Sequence, residues 1–187
     1  LTKRCPTALS DASHGLAYDN FYITQGRLQN FLTVLGYHCI GQNIMGIGPT
    51  AGWGVISGLG ELGRLQHLIT PTWGPLIRMS VVNIIDMPVE PTKPIDFGAK
   101  RFCHHCRKCA DSCPGEAIQT SSETSWDITK AYDLVKPELF NNPGLNTWYY
   151  NHFKCRSYWM KSGTDCGVCH SVCVFSKNDA ASIHALI

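Results

Sequence analysis

Between residues 19 and 35 the apolar positions Phe21, Leu28, Phe31, Leu32 and Leu35 recur at helical spacing, which predicts an amphipathic helix. Asp19 or Asn20 is placed to cap its start and Gly36 to end it. Tyr18 and Tyr22 stand four apart and so share a face. A short apolar run, residues 37–40, leads into a glycine-rich stretch to Gly63 that reads as loop, and residues 64–69 then read as helix. Between residues 77 and 87 the β-branched Val81, Val82, Ile84 and Ile85 predict a buried strand. Pro88, Pro91 and Pro94 end all periodicity, so a domain boundary is expected near residues 88–98, with region 1–90 before it and region 91–187 after. The second region holds two cysteine clusters separated by a polar connector, residues 120–125, and a stretch rich in Trp and Tyr.

With 187 residues, 44% of them hydrophobic and 16% charged, the chain can bury a core and suits one domain, or one domain with an appendage. The net charge of +2 comes from scattered Lys and Arg, with no basic run longer than Arg107-Lys108, so nucleic acid is not a favoured partner. No apolar stretch reaches the roughly 18 residues that a membrane-spanning helix needs. Leu1 is not an initiator Met, which predicts a fragment or processed chain, and a missing export signal then says nothing about compartment.

Ten cysteines would suit a disulfide framework, but eight fall in two sets with metal-ligand spacing. Cys103, Cys106, Cys109 and Cys113, with gaps of two, two and three residues and Pro114 behind, reproduce the bacterial ferredoxin run, whose fourth cysteine serves the other cluster. Cys155, Cys166, Cys169 and Cys173 form the second set, with its first member displaced and Val174 in place of the proline. Crossing the fourth ligands assigns Cys103, Cys106, Cys109 and Cys173 to one [4Fe–4S] cluster and Cys155, Cys166, Cys169 and Cys113 to the other. Paired zinc sites are the competing reading, but zinc motifs set their cysteine pairs a dozen or more residues apart. His104 and His105, between two ligands, are read as exposed or bonded to cluster sulfur. Cys5 and Cys39 lack partners at ligand spacing and are read as buried thiols. Trp53, Trp73, Trp126, Trp148, Tyr149, Tyr150 and Trp159 are read mostly as core that shields the clusters from water, with one or two lining an apolar pocket.

Gly58, Gly60 and Gly63 match the dinucleotide-binding spacing, but no clear strand precedes them and Asp86 is only roughly where the acidic partner belongs. The glycines are better read as places where backbone comes close to another element or to a flat ligand. Taken in order, Leu35-Gly-Tyr-His, Gly41-Gln-Asn43, Gly58-Leu-Gly-Glu-Leu-Gly-Arg64, Ile69-Thr-Pro-Thr-Trp-Gly-Pro-Leu-Ile-Arg78 and the two cysteine sets resemble the corrinoid-dependent reductive dehalogenases, over nearly the whole chain and in the manner of a C-terminal part.

That resemblance implies an α/β fold of the α+β kind: a nitroreductase-like core that buries a base-off cobalamin, joined to a ferredoxin-like region with two [4Fe–4S] clusters. It implies a proton-donating Tyr, for which Tyr22 is the first choice and Tyr18 the second, with Arg78 and Asn43 around the substrate. It places corrinoid contacts at Gly36, Tyr37, His38, Gly58, Gly60, Gly63 and Thr70. It further implies a halogenated small-molecule substrate, an electron donor of the respiratory chain, a small membrane anchor protein and a place on the outer face of the cytoplasmic membrane. Residue by residue, plainer roles stay open: Tyr22 and Tyr18 as helix core, Arg78 as a cap or a partner of Glu61 or Asp86, Asn43 as a turn residue. An epoxyqueuosine-reductase-like enzyme and a plain two-cluster electron-transfer module are the alternatives.

Overall fold

A computed structural model describes residues 2–42, 48–77, 82–128, 136–139 and 141–176, a mixed α/β arrangement. Helix α1 (Ala8–Val34) begins well before residue 19, because Thr7 and Ser10 form a capping box: each side chain accepts the other's backbone N–H at 3.2 Å. Gly36, with φ of +90°, lets the chain turn away at the other end. The predicted apolar stripe is not the packed face. Phe21, Gln25 and Leu32 are buried, whereas Leu28, Phe31 and Leu35 are exposed. Strand β1 (Cys39–Gly41) packs against α1 with Gly41 beneath the Gln25 amide, where a Cβ would collide with it. The contact line therefore runs through positions 21, 25 and 32.

The short helix in the glycine-rich stretch is α2 (Thr50–Ile56). Residues 64–69 do not continue as a helix: β2 (Glu61–Leu62) and β3 (Leu68–Ile69) pair antiparallel, Glu61 opposite Ile69, around a tight turn in which Gln66 has φ of 55°. The predicted buried strand shrinks to β4 (Asn83–Ile85), antiparallel to β1 with Cys39 opposite Ile85. Only these two strands pair in that sheet among the described residues, so Ile40 and Ile84 face outward at 62% and 56% exposure.

Residues 86–98 then run without helix or strand to α3 (Ala99–Cys106). The Glu61 carboxylate accepts the N–H groups of Phe97 and Ala99, at 3.2 and 2.7 Å, and so holds the start of α3 against β2. Next come α4 (Lys108–Asp111), α5 (His152–Ser162), capped by Asn151, and α6 (Val168–Val172). The core joins both sides of the irregular segment, since Leu65 and Ile69 pack with Ala99, Ile118, Trp148, Val174 and Phe175 around several of the cysteines. No helix among the described residues is long and apolar enough to cross a membrane.

Candidate metal centres

Short helices bring the eight thiols into two groups. Helix α3 carries Cys103 and Cys106. Arg107, with φ of 48°, breaks the helix, and α4 resumes to place Cys109 beside them. Cys103, Cys106, Cys109 and Cys173 line one small cavity under Phe102 and Phe175. Cys113, Cys155, Cys166 and Cys169 line a second, wider cavity of about 370 Å³ with Tyr150 and Trp159. Each consecutive run thus lends its last member to the other group. Among the described residues no three His, Cys, Asp or Glu converge tightly enough for a single metal ion, and the thiols instead ring open space.

Burial pushes the Cys103, Cys109 and Cys166 thiols up and takes Cys173 to about 12, with neighbouring thiols adding to the rise at each. Such thiols stay protonated at neutral pH unless positive charge enters among them. Backbone N–H groups already aim at the sulfurs: Ala117 donates to Cys113 Sγ at 3.3 Å, Phe175 to Cys173 and Val168 to Cys166. Donors of this kind favour thiolate and tune a bound cluster. The donor set, its desolvation and its partition into fours fit two iron–sulfur cubanes.

The two surroundings differ. The first group has the fully buried Arg64, whose guanidinium stacks on the Trp148 ring at 4.4 Å. The second has Tyr150, which donates to Cys155, and the buried His170, whose Nε2 lies 2.5 Å from His67 Nδ1. Burial and the nearby thiols push the Tyr150 hydroxyl far up, so it stays a proton-bearing donor. His14 pairs with Asp165, the residue before Cys166. Trp148 and Tyr150 match their reading as aromatics that cover the clusters, but sequence reasoning assigned Arg64, the three histidines and Asp165 no role. For Arg64 a signal existed, a lone cation closing a stretch of glycines and aliphatics. For the histidines there was none, since 103 residues separate the pair.

Other expectations land variously. Tyr22 is 46% exposed on α1 with its ring edge-on to Phe21, and Tyr18 is half-buried on the same helix. Asn43 and Arg78 lie outside the described residues. Gly36, Tyr37 and His38 form the exit from α1, where the His38 N–H and ring both bond the Asp86 carboxylate, at 2.8 and 2.6 Å. This claims the acid that a nucleotide fingerprint would have used. The space beside Gly58 is taken by the Lys93 carbonyl, beside Gly60 by the Ile69 carbonyl, and beside Gly63 by the Ile69 side chain and Cys103. These glycines serve close approach between protein segments. Thr70 is buried and its hydroxyl accepts the Trp73 N–H. Trp148 and Tyr149 are fully buried, but Trp53, Trp73 and Trp126 are exposed, because the segments carrying them lie at the surface. His105 is exposed, and His104 packs edge-on against Trp148. Cys5 and Cys39 are half-buried, Cys5 lying against Gly167 beside the second group. Beside Gly41, the amides of Gln25 and Asn83 each keep a buried oxygen without a hydrogen-bond partner among the described residues, and Gln42 does likewise.

Residues 102–176 match the 4Fe-4S double cluster binding domain. The chain is 33% identical over 179 residues to the tetrachloroethene reductive dehalogenase of Sulfurospirillum multivorans, an alignment covering 96% of this chain and 34% of the relative. It is 36% identical over 174 residues to the tetrachloroethene reductive dehalogenase of Desulfitobacterium hafniense, covering 92% and 30%. A solved reductive dehalogenase, whose structure suggests a mechanism for B12-dependent dehalogenation, superposes with a TM-score of 0.67 at 26% identity, covering 85% of this chain and 21% of that one. The chain thus spans about a third of the length of the curated relatives it matches.

Proposed function

We propose that this chain, which belongs to the reductive dehalogenase family and binds [4Fe–4S] clusters, is the electron-delivering part of an enzyme that removes halide from an organohalide at a corrinoid. The observation that carries the reading is the gathering of eight buried or half-buried cysteines into two fours beside one another, an electron path of two centres. Cys103, Cys106, Cys109 and Cys173 hold one cluster, and Cys113, Cys155, Cys166 and Cys169 the other.

The overall change consumes two electrons and one proton: a carbon–halogen bond breaks, a carbon–hydrogen bond forms, and halide leaves. When bound, the corrinoid supplies a strongly reducing cobalt to the carbon–halogen bond. A corrinoid carries amide side chains on its rim. The amide oxygens of Gln25, Gln42 and Asn83, around Gly41 and without partners among the described residues, suit such donors. The family resemblance gives Gly36, Tyr37, His38 and Thr70 to that wall, and Gly58, Gly60 and Gly63 contribute to it by letting the protein segments behind it pack closely. Tyr22 holds the proton at its hydroxyl oxygen, with Tyr18 one turn earlier as the substitute. Arg78 stabilises the tyrosinate left behind, and Asn43 orients the substrate. On the same reading a respiratory-chain donor feeds the clusters, and a small membrane anchor holds the enzyme at the outer face of the cytoplasmic membrane.

The test is anaerobic reconstitution of the chain, with whatever sequence flanks it in its gene, using iron, sulfide and cobalamin. Metal analysis and chloride release with reduced viologen are then read. About eight irons, bound cobalt and released chloride are expected, with Tyr22→Phe and Arg78→Leu abolishing chloride release while iron stays. Iron without cobalt or chloride leaves an electron-transfer module. Iron and cobalt without chloride turns to epoxyqueuosine reduction.

A further inference from the structure

Arg64 follows the third glycine of the Gly58-Leu-Gly-Glu-Leu-Gly stretch and is completely buried. All five of its N–H directions are used. Nε and Nη2 both donate to the Cys103 carbonyl, at 3.2 and 2.8 Å, and Nη2 also reaches the His104 carbonyl at 3.4 Å. Nη1 donates to the carbonyls of Gln119 and Ser121, at 2.8 and 2.6 Å. Every acceptor is a neutral carbonyl oxygen. Hydrogen bonding is therefore complete while the positive charge has no anion among these partners, and a buried charge left in that condition is costly.

The groups that face it supply the answer. Arg64 lines the first cavity together with Cys103, Cys106, Cys109 and Cys173. Burial pulls its pKa down, and the Cys109 and Cys103 thiols pull it back up. The other cations on that cavity, Arg107 and Lys108, are exposed, so water screens them. Glu61, which acts on Cys103 with the opposite sign, is engaged by the N–H groups at the start of α3. Arg64 is thus the one cation at this cavity, among the described residues, that is both fully desolvated and locked in place.

We propose that Arg64 is the internal counter-charge of the first cluster: it offsets the negative charge that four thiolates bring, and it raises the reduction potential of that cluster above the value the same ligands give without it. The inference rests on the cluster reading above. Reduction adds one electron and makes the cluster more negative, so a fixed cation in a dry site stabilises the reduced form more than the oxidised one. The Trp148 face adds to the same placement by attracting the guanidinium from its other side.

The experiment compares Arg64→Met and Arg64→Lys with the parent after anaerobic reconstitution, reading iron content and an EPR-monitored titration with dithionite. If the parent holds no iron, the cluster reading fails before this inference is reached. With the parent loaded, Arg64→Met is expected to lower the potential of one cluster so that its reduced-to-oxidised ratio at fixed potential falls about tenfold or more, a shift of about 59 mV for one electron. Arg64→Lys, which keeps the charge and loses the fork, is expected to stay within about threefold of the parent. If Arg64→Met instead loses about four irons while Arg64→Lys keeps them, the counter-charge role is likewise supported. Equal shifts in both variants, no shift in either, or loss of iron from both would overturn the inference and leave Arg64 as a hydrogen-bonding pin.

Discussion

The two cysteine groups hold the same number of thiols, yet they are built in different ways. The first is narrow and dry, lined by Phe102, Val174 and Phe175, and its one buried charge is an arginine fastened to backbone carbonyls. The second is a wider cavity with polar side chains on its wall: a tyrosine, a pair of contacting histidines, and the exposed His152 and Arg156. The difference follows from ligand spacing. Three thiols of the first group come from one compact run on α3 and α4, so the chain wraps tightly around them. In the second, Cys155 arrives on a separate helix, α5, and the gap this leaves admits larger polar neighbours. The lesson is that one ligand count supports two electrostatic environments, one tuned by a fixed charge and the other by hydrogen bonds.

Removing a ligand from each group is the most forceful way to break the comparison. Cys109→Ser is expected to remove one cluster's iron and to lower stability, because Cys109 is part of the packed core. Cys155→Ser is expected to remove the other cluster's iron with the first intact, which iron analysis and EPR of the two variants would check. If either substitution empties both sites, the groups are not independent. Next in size is Trp148→Ala. It deletes a fully buried indole and the ring beneath Arg64, and is expected to cost about 3–5 kcal/mol in denaturant unfolding.

Tyr150→Phe sharpens the contrast more gently. Loss of the hydroxyl that donates to Cys155 is expected to cost about 1 kcal/mol and to lower the potential of the second cluster alone, read in the same EPR titration. The smallest effect belongs far from both sites. Hydrogen bonds from His38 hold the Asp86 carboxyl below its usual range. A depressed carboxyl adds stability above its unfolded value of about 3.9 and loses it as pH falls through the lower folded value. Asp86→Asn is therefore expected to lower the melting temperature slightly at neutral pH and to converge with the parent in strong acid.

The sequence by itself determined the chemistry. Cysteine gaps of two, two and three residues set which thiols fall within reach of one cluster, because backbone geometry over so few residues leaves little choice. The glycine stretch was legible as a place of close approach, for the same local reason. Tertiary structure decided the rest. The packed face of α1 depends on where β1 crosses it, so Phe31, apolar and periodic, stays exposed while Gln25 is buried. The hairpin of β2 and β3 needs partner strands and the α3 terminus, none of which the local pattern at residues 64–69 reveals. Arg64 gains its environment only when carbonyls up to 57 positions away close around it. Burial and electrostatic pairing are sums over distant segments, and a one-dimensional pattern carries no information about which segments those will be.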